Sequence, residues 1–215
     1  MKIGVYGGSF NPFHYGHYQV AMKALEELDR LIVVPAHISP FKTAQGGAEN
    51  PVFPPRLEMI RAIFANEPRV VVDDREIRRG GVSYTIDTVR ELKAENVDAE
   101  LFFLVGEDSL ARLDEWREID ALKKLVSFKV YPRTRESSTE IRTLFEENHV
   151  VRNPDEKVAS VVAEGVRRKN GFCPCRLAKR PEFFCPCDEF KAQLRDKAYH
   201  GLCHCRLYLK PERGE

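Results

Sequence analysis

The chain has 215 residues, of which 43% are hydrophobic and 31% are charged, and its formal net charge is +1. This composition describes an ordinary soluble protein that can bury a core, and no stretch approaches the roughly 20 apolar residues that cross a bilayer. The N-terminal residues have no long apolar run of the kind found in secretory signals. We therefore expect a cytoplasmic protein that binds neither membranes nor nucleic acid.

Cysteine and charge are unevenly distributed along the chain. All six cysteines lie within Cys173–Cys205, a density more typical of a metal, cluster or redox site than of a secreted disulfide framework. Residues 148–215 carry 14 Lys and Arg against 9 Asp and Glu, whereas residues 1–147 carry 20 against 24. These shifts predict two modules, residues 1–147 and residues 148–215.

Strand and helix patterns alternate in the first module. Continuous apolar runs, typical of strands covered on both faces, occur at Lys2–Tyr6, Leu31–Pro35, Val70–Asp73 and Leu101–Val105. Helical patterns occur from about Tyr15 to Leu28, from Pro54-Pro55 to about Asn66, at Thr85–Glu95, at the helix start Ser137–Glu140, and from Asn153-Pro154-Asp155 to about Lys169. This alternation predicts an α/β fold with a parallel sheet, whose ligands bind at the carboxyl ends of the strands.

A glycine-rich turn follows the first predicted strand, with the sequence GGSFNPFHYGH at residues 7–17. Gly7 and Gly8 allow the backbone to approach an anion closely, and a helix start offers exposed N–H groups. His14 and His17 are three residues apart, so both can lie on one face of the first turn and donate to phosphate oxygens. The segment predicts a phosphate site; the alternative is a glycine-rich turn with two incidental histidines.

The segment GGSFNPFHYGH resembles the signature of the H-x-G-H nucleotidyltransferases, and specifically of bacterial nicotinate mononucleotide adenylyltransferases. Further matches follow in the family's order: SPFK ending at Lys42, SYTIDT at 83–88, GEDS at 106–109 with Trp116, and SSTEIR at 137–142. The resemblance covers residues 2–142. It implies a Rossmann-like nucleotidyltransferase domain that transfers the adenylyl group of ATP to nicotinate mononucleotide, with Mg²⁺ on the triphosphate.

The resemblance also implies a role for each matched residue. The implied catalytic residues, which hold the phosphates or supply fixed positive charge, are His14, His17, Lys42 and Arg142. The implied nucleotide-binding or substrate-binding residues are Gly7, Gly8, Ser9, Phe10, Thr85, Gly106, Asp108, Trp116, Ser138 and Thr139. Trp116 would stack on the nicotinate ring and Thr85 would meet its carboxylate. The alternatives are a core or surface aromatic for Trp116 and a solvated lysine for Lys42.

The chain departs from the family at two places. Phe41 stands where the family usually has a histidine, and only three residues separate Arg133 from Ser137. The family has a longer stretch there, with a further strand. We therefore expect an edge strand to be missing, a loss that would weaken the sheet or displace Arg142.

Three Cys-x-Cys motifs lie in the second module: CPC at 173–175, CPC at 185–187 and CHC at 203–205. Structural zinc uses four ligands, commonly with C-x-x-C spacing, so six thiols leave two over. The order of the motifs resembles the catalytic chain of ferredoxin:thioredoxin reductase, over residues 153–210. The gaps between the motifs resemble those of its shorter bacterial relatives.

That second resemblance implies a small, mostly α, cysteine-rich domain with a 4Fe-4S cluster and a redox disulfide. The implied cluster ligands are Cys173, Cys185, Cys187 and Cys203. The implied disulfide joins Cys175 to Cys205, with His204 beside it, and the implied partner is a ferredoxin or a thioredoxin-like protein. Zinc or mixed metal binding, and a remnant without function, stay open.

Three hypotheses for the whole chain follow. The first is an adenylyltransferase joined to an iron–sulfur thiol-reductase-like module. The second is an electron-transfer protein or thiol-disulfide reductase whose first module only binds nucleotide. The third is a fusion in which neither half is complete.

Overall fold

The structure is a computed structural model that describes residues 1–41, 52–53, 55–132, 134 and 136–212. Backbone proximity divides these residues into two units. Unit 1 contains the described residues 1–10, 16–41, 67–132 and 134. Unit 2 contains the described residues 11–15, 52–53, 55–66 and 136–212.

The regular elements of the described residues are named here in chain order. The strands are β1 (Lys2–Gly8), β2 (Arg30–Pro35), β3 (Val70–Val72), β4 (Glu100–Gly106), β5 (Ser127–Tyr131), β6 (Val151–Arg152), β7 (Gly201–Leu202) and β8 (Tyr208–Lys210). The helices are α1 (Tyr15–Ala24), α2 (Arg56–Ile63), α3 (Arg75–Arg79), α4 (Thr85–Glu95), α5 (Glu107–Leu110), α6 (Ile119–Leu125), α7 (Ser138–Glu147), α8 (Glu156–Arg168) and α9 (Asp188–Arg195). Short 3₁₀ turns lie at Leu113–Glu115 and Pro181–Phe183.

Unit 1 is built on a five-stranded sheet with the order β3-β2-β1-β4-β5, in which every neighbouring pair is parallel. Val5 of β1 lies in register with Ile32 of β2 and Phe103 of β4. The predicted α/β fold with a parallel sheet is therefore confirmed, as are the four predicted strands. Strand β5 was not predicted, because its sequence SFKVY contains a serine and a lysine and is therefore not a continuous apolar run like the four predicted strands.

The core of unit 1 explains why the central strands are apolar throughout. Its buried side chains come mainly from β1, β2 and β4 and from helices α4 and α6: Ile3, Val5, Ile32, Val34, Ile86, Val89, Leu92, Ala99, Leu101, Phe103, Val105, Leu122 and Val126. Gly8 and Pro35 pair at the carboxyl ends of β1 and β2, and Gly106 ends β4. Because the strands are parallel, these ends share one edge of the sheet.

Unit 2 combines helices α2, α7, α8 and α9 with a small antiparallel sheet of order β6-β8-β7. Its core joins aromatic and aliphatic side chains to four cysteines: Phe53, Ile141, Phe145, Val150, Cys173, Cys187, Phe190, Leu194, Cys203, Cys205, Leu207 and Tyr208. Helix α7, within the first predicted module, supplies Ile141 and Phe145 to this core. The module boundary at residues 147 and 148 stays a prediction.

Two helices differ from the sequence prediction in extent. Helix α1 ends at Ala24 instead of Leu28, because the backbone N–H groups of Glu26 and Glu27 bond three residues back, as in a tightened last turn. Helix α9 was not predicted at all. Among the described residues, no helix is long and apolar enough to cross a membrane.

Candidate functional site

Residues 7–10 of unit 1 form a tight turn at the end of β1. Gly7 and Gly8 are the last two residues of β1, and Phe10 has a left-handed backbone with φ +46°. The buried ring of Phe10 packs edge-on against His17, with 5.0 Å between ring centroids, and against Tyr6 at 5.1 Å. A left-handed non-glycine residue costs of order 1–3 kcal/mol, which this packing offsets. The turn is therefore held in one shape that fixes the ring of His17.

Gly16 of the H-x-G-H segment has a steric reason to be glycine. A Cβ atom placed there would lie 2.1 Å from Thr134 Oγ1 and 2.7 Å from Thr134 Cβ. Both distances are far inside van der Waals contact, so a side chain would displace Thr134 or the start of α1. Thr134 is one of the few residues between β5 and α7, and no strand lies there among the described residues. The expected loss of an edge strand stays a prediction.

The SYTIDT segment is anchored by a buried carboxylate. Thr88 Oγ1 donates to Glu76 Oε1 at 2.5 Å, and the Ser83 side chain also hydrogen-bonds Glu76. Ser83 Oγ in turn accepts from the backbone N–H of His37 at 2.9 Å. Burial raises the pKa of Glu76, although the hydrogen bonds from Thr88 and Ser83 oppose the shift. Thr85, predicted to bind nicotinate, is the first residue of α4 and is positioned by these bonds.

The GEDS segment and Trp116 lie near the carboxyl end of β4. Gly106 ends the strand, and Asp108 is exposed in the short helix α5. Trp116 is half-buried, with its ring edge-on to Phe103 at 5.6 Å and to Phe128 at 6.4 Å between centroids. Trp116 is thus packed against the core of unit 1, and its stacking on the nicotinate ring stays a prediction.

His14 of unit 2 is only 5% exposed and lies in a charged environment. Its Nδ1 is 3.7 Å from Glu136 Oε2, and Lys191 Nζ of α9 is 2.5 Å from the other oxygen of Glu136. Glu136 would favour a protonated imidazole. Burial first, and the charge of Lys191 second, outweigh it and lower the pKa of His14 to about 4. His14 is therefore neutral at pH 7 in this structure.

The SSTEIR segment begins α7 and is joined to residues 11–12 in unit 2. Ser137 caps the helix, since its Oγ accepts from the backbone N–H of Glu140 at 3.5 Å. Ser138 Oγ donates to the Pro12 carbonyl at 2.9 Å. Arg142 donates to the Asn11 carbonyl and, at 3.1 Å, to Thr139 Oγ1. These bonds bring Ser138, Thr139 and Arg142 together with the turn before His14. Lys42 lies outside the described residues.

The thiols of the three Cys-x-Cys motifs converge in unit 2. Cys203 Sγ and Cys205 Sγ are 3.6 Å apart, and Cys205 also hydrogen-bonds Cys173. Cys175 is exposed but hydrogen-bonds Cys173, and Cys185 hydrogen-bonds Tyr208. The structure shows no disulfide among the six cysteines, all of which it describes. The pairing of Cys175 with Cys205 stays a prediction.

Two of these thiols favour the thiolate. Hydrogen bonding by Cys205 lowers the pKa of Cys173 to about 6 and that of Cys203 to about 7, against the effect of burial. The backbone N–H of Tyr208 also donates to Cys203 Sγ at 3.3 Å. Cys205, which contacts both sulfurs, has its own pKa raised by these hydrogen bonds and by burial. Cys173 and Cys203, which both favour the thiolate and both contact Cys205, make up the centre of this group of thiols.

The six cysteines offer a sulfur-only set of possible ligands for a metal or an iron–sulfur cluster. Buried thiolates that accept backbone N–H groups within an apolar shell are typical of iron–sulfur sites, where such bonds adjust the potential. The chemistry of the cysteines therefore fits this type of group. In the part of the chain that the structure describes, however, no three His, Cys, Asp or Glu side chains are arranged as ligands of a metal ion.

Comparison with known proteins assigns the family. A family model described as cytidylyltransferase-like matches residues 5–165, which is more than half of the chain. The chain belongs to the cytidylyltransferase-like family. A second model, described as the ferredoxin thioredoxin reductase catalytic beta chain, matches residues 133–215. The resemblance of the cysteine motifs to that reductase is thereby confirmed.

Two relatives of this chain have the same name. A protein of Citrifermentans bemidjiense named "Probable nicotinate-nucleotide adenylyltransferase" is 45% identical over 127 residues, which are 58% of this chain and 57% of the relative. A protein of Shouchella clausii with the same name is 44% identical over 134 residues, 61% of this chain and 68% of the relative. The chain thus spans a little more than half the length of the first of these relatives.

A solved structure shares the fold of this family member. A Vibrio parahaemolyticus crystal structure that was assigned as a nicotinate-nucleotide adenylyltransferase aligns with a TM-score of 0.55. It is 20% identical in sequence, and the alignment covers 68% of this chain and 88% of that one. At this identity the likeness supports the Rossmann-like nucleotidyltransferase fold.

Sequence reasoning missed three charged residues that lie outside the quoted motifs but contact motif residues or each other: Glu76, Glu136 and Lys191. Glu76 precedes SYTIDT by seven residues on another helix, and an acid beside several arginines does not look buried from sequence alone. Lys191 is 55 residues from Glu136. The sequence contains one signal for Lys191, which lies between Phe190 and Leu194 on the apolar face of DEFKAQLR, where an isolated lysine is unusual.

Proposed function

We propose that the chain is a nicotinate-nucleotide adenylyltransferase. A phosphate oxygen of nicotinate mononucleotide attacks the α-phosphorus of ATP, the bond from that phosphorus to the bridging oxygen breaks, and pyrophosphate leaves. The observation that carries this proposal is the segment GGSFNPFHYGH at the carboxyl end of β1. The chain is also 45% identical over 127 residues, and 44% identical over 134 residues, to two proteins named as probable enzymes of this type. Loops at this edge of a parallel sheet are where such folds bind nucleotides.

Positioning and charge stabilisation supply most of the catalysis in such a reaction. We assign phosphate binding to residues 7–10, His14, His17, Ser138 and Thr139. Arg142 and Lys42 supply fixed positive charge, and Mg²⁺ enters with ATP and neutralises the triphosphate. Thr85 and Trp116 bind the nicotinate end, while Gly106 and Asp108 contact the nucleotide.

A panel of acceptors tests the substrate assignment. The full chain is incubated with ATP and Mg²⁺ and with nicotinate mononucleotide, its amide analogue or phosphopantetheine, and pyrophosphate and dinucleotide are quantified. We expect nicotinate mononucleotide to react fastest and the amide to react more slowly. A faster reaction of the amide or of phosphopantetheine would refute the substrate assignment and leave a nucleotidyltransferase of another specificity.

We propose further that the cysteine-rich residues bind a 4Fe-4S cluster through Cys173, Cys185, Cys187 and Cys203. The convergence of the six thiols and the reductase family match support this proposal. When bound, the cluster would supply two electrons to the disulfide between Cys175 and Cys205, which with two protons would become a dithiol. That dithiol would then reduce a disulfide of a thioredoxin-like protein by exchange. The electrons come from a ferredoxin.

Iron content separates ligands from dithiol cysteines. Cys175→Ser and Cys205→Ser are expected to keep iron and visible absorbance after anaerobic purification but to lose dithiol exchange. Serine at any of the four proposed ligand positions is expected to lose both iron and colour, because a cluster ligand must be a thiolate. Equal iron loss in all six variants, or zinc instead of iron, would refute the reductase assignment. Iron without adenylyl transfer would favour an electron-transfer protein.

A further inference from the structure

A buried lysine of the cysteine-rich region makes a charged contact that neither family match explains. Lys191 lies on α9, four residues after Cys187, and is 8% exposed. Its Nζ is 2.6 Å from Asp188 Oδ1 and 2.5 Å from Glu136 Oε1. Burial alone would lower the pKa of Lys191, but hydrogen bonds to Asp188 and Glu136 raise it. The ammonium group therefore stays charged although it is out of water.

Glu136 connects this lysine to the first histidine of H-x-G-H. One carboxylate oxygen of Glu136 contacts Lys191, and the other lies 3.7 Å from His14 Nδ1. Glu136 directly precedes the Ser137 cap of α7, so its backbone is fixed by the helix start. His14 itself is 5% exposed. The buried His14 and Lys191 and the partly buried Glu136 between them restrict one another, since each would lose a contact if another moved.

The side chains of Lys191 and Glu136 approach the His14 ring from one edge. Because the Nδ1 edge of His14 faces Glu136, the opposite edge with Nε2 is the one that a phosphate oxygen would meet. At 3.7 Å Glu136 Oε2 lies beyond hydrogen-bond distance of Nδ1, so it acts on the ring through its charge and through packing. Lys191 balances the charge of Glu136, which would otherwise be a partly buried carboxylate with only a neutral imidazole beside it.

We propose that Glu136 and Lys191 are positioning residues of the adenylyltransferase, which hold the His14 ring by its Nδ1 edge while Nε2 binds phosphate. This inference rests on the proposed function of His14. It means that α9, within the part of the chain that matches the reductase, contributes a residue to adenylyl transfer. A chain truncated before α9 would retain the H-x-G-H segment but lack this support.

Removal of the lysine charge is the first test, made in the full chain. Lys191→Gln is expected to lower kcat for adenylyl transfer by about 10- to 100-fold, the scale of a slightly misplaced catalytic group. The KM for nicotinate mononucleotide should not change, because Thr85 and Trp116 bind that substrate. Lys191→Arg, which keeps the charge, should recover most of the rate. Glu136→Gln should match Lys191→Gln, and the double variant should lose no more than either.

Arg195→Gln is the matched control on the same helix. Arg195 pairs with Glu140 of α7 at 2.7 Å, but this pair is more than half exposed and does not contact His14. Its loss should leave kcat unchanged. An equal loss of rate in Arg195→Gln and Lys191→Gln would show a merely structural effect of α9 and overturn the inference. A kcat of Lys191→Gln above that of the wild type would also overturn the inference, since the contact between Lys191 and Glu136 would then hinder His14.

The second test does not depend on activity. Nuclear magnetic resonance of ¹⁵N-labelled imidazole, assigned by the loss of signal in His14→Gln, should show shifted His14 resonances in Lys191→Gln and Glu136→Gln. Arg195→Gln should leave them in place. Unmoved His14 resonances would overturn the inference even in an active enzyme. Failure of the wild-type chain to form any dinucleotide would instead refute the proposed function, so the two failures are distinguishable.

Discussion

At the scale of single residues, the two histidines of H-x-G-H have different surroundings although they are three positions apart. His14 is buried beside Glu136, whereas His17 is half-buried and held by the ring of Phe10. The spacing predicted both as phosphate ligands, and it could not predict this difference. Glu136 and Lys191 determine it, and both are distant from His14 in the sequence.

His17→Ala is expected to lower turnover by about 10²- to 10³-fold, the scale for losing one transition-state donor. The fold should persist, because the His17 ring is only half-buried and packs at the edge of Phe10. Steady-state kinetics and thermal unfolding measure the two effects. His200→Ala, at an exposed histidine of the C-terminal region, is the control and should retain full turnover. Unchanged turnover in His17→Ala would remove this residue from the site.

The buried state of His14 predicts how stability depends on pH. Its pKa is lowered from 6.5 to about 4, so between these values the unfolded chain binds a proton that the folded chain does not. The free energy of unfolding should therefore fall as pH decreases from 6.5 towards 4, by about 1.4 kcal/mol per pH unit at most from this residue.

Chemical denaturation at a series of pH values measures this dependence. His14→Gln should flatten the curve between pH 6.5 and 4, whereas His200→Gln should leave it as in the wild type. An identical slope in wild type and His14→Gln would contradict the burial of a neutral His14.

At the scale of elements, most of the fold follows from periodicity. Strands β1, β2 and β4 are continuous apolar runs because consecutive side chains, which point to opposite faces of the sheet, are buried. Helix α4 has the predicted bounds. Strand β5 is at the sheet edge, where a mixed sequence is tolerated and the apolar signal weakens. Helix α9 lies among Cys-x-Cys turns and has only eight residues, so its period was too short to recognise.

The caps of α8 and α7 allow a graded prediction. Asp155 Oδ1 accepts from the backbone N–H groups of Lys157 and Val158, both at 3.1 Å, whereas Ser137 Oγ accepts one at 3.5 Å. Asp155→Ala should lower the free energy of unfolding by about 0.5–2 kcal/mol, and Ser137→Ala should lower it by less. Denaturant titrations compare them. A larger loss in Ser137→Ala would contradict these cap geometries.

At the scale of the whole molecule, the two family matches share residues 133–165. This stretch contains α7, whose first turn carries Ser138 and Thr139 and whose apolar face enters the core with the cysteines. One helix therefore serves both the transferase motif and the cysteine-rich core. Sequence patterns could identify each family by its motifs, but they could not show that α7 is shared.

The products that receive the α- and γ-phosphates of ATP show whether the chain transfers an adenylyl group. The full chain is incubated with nicotinate mononucleotide, Mg²⁺ and ATP labelled with ³²P at either the α- or the γ-phosphate, and the products are separated. We predict that the α-label appears in the dinucleotide and that the γ-label appears only in pyrophosphate. Transfer of the γ-label to the mononucleotide, or its release as inorganic phosphate without dinucleotide, would contradict the account.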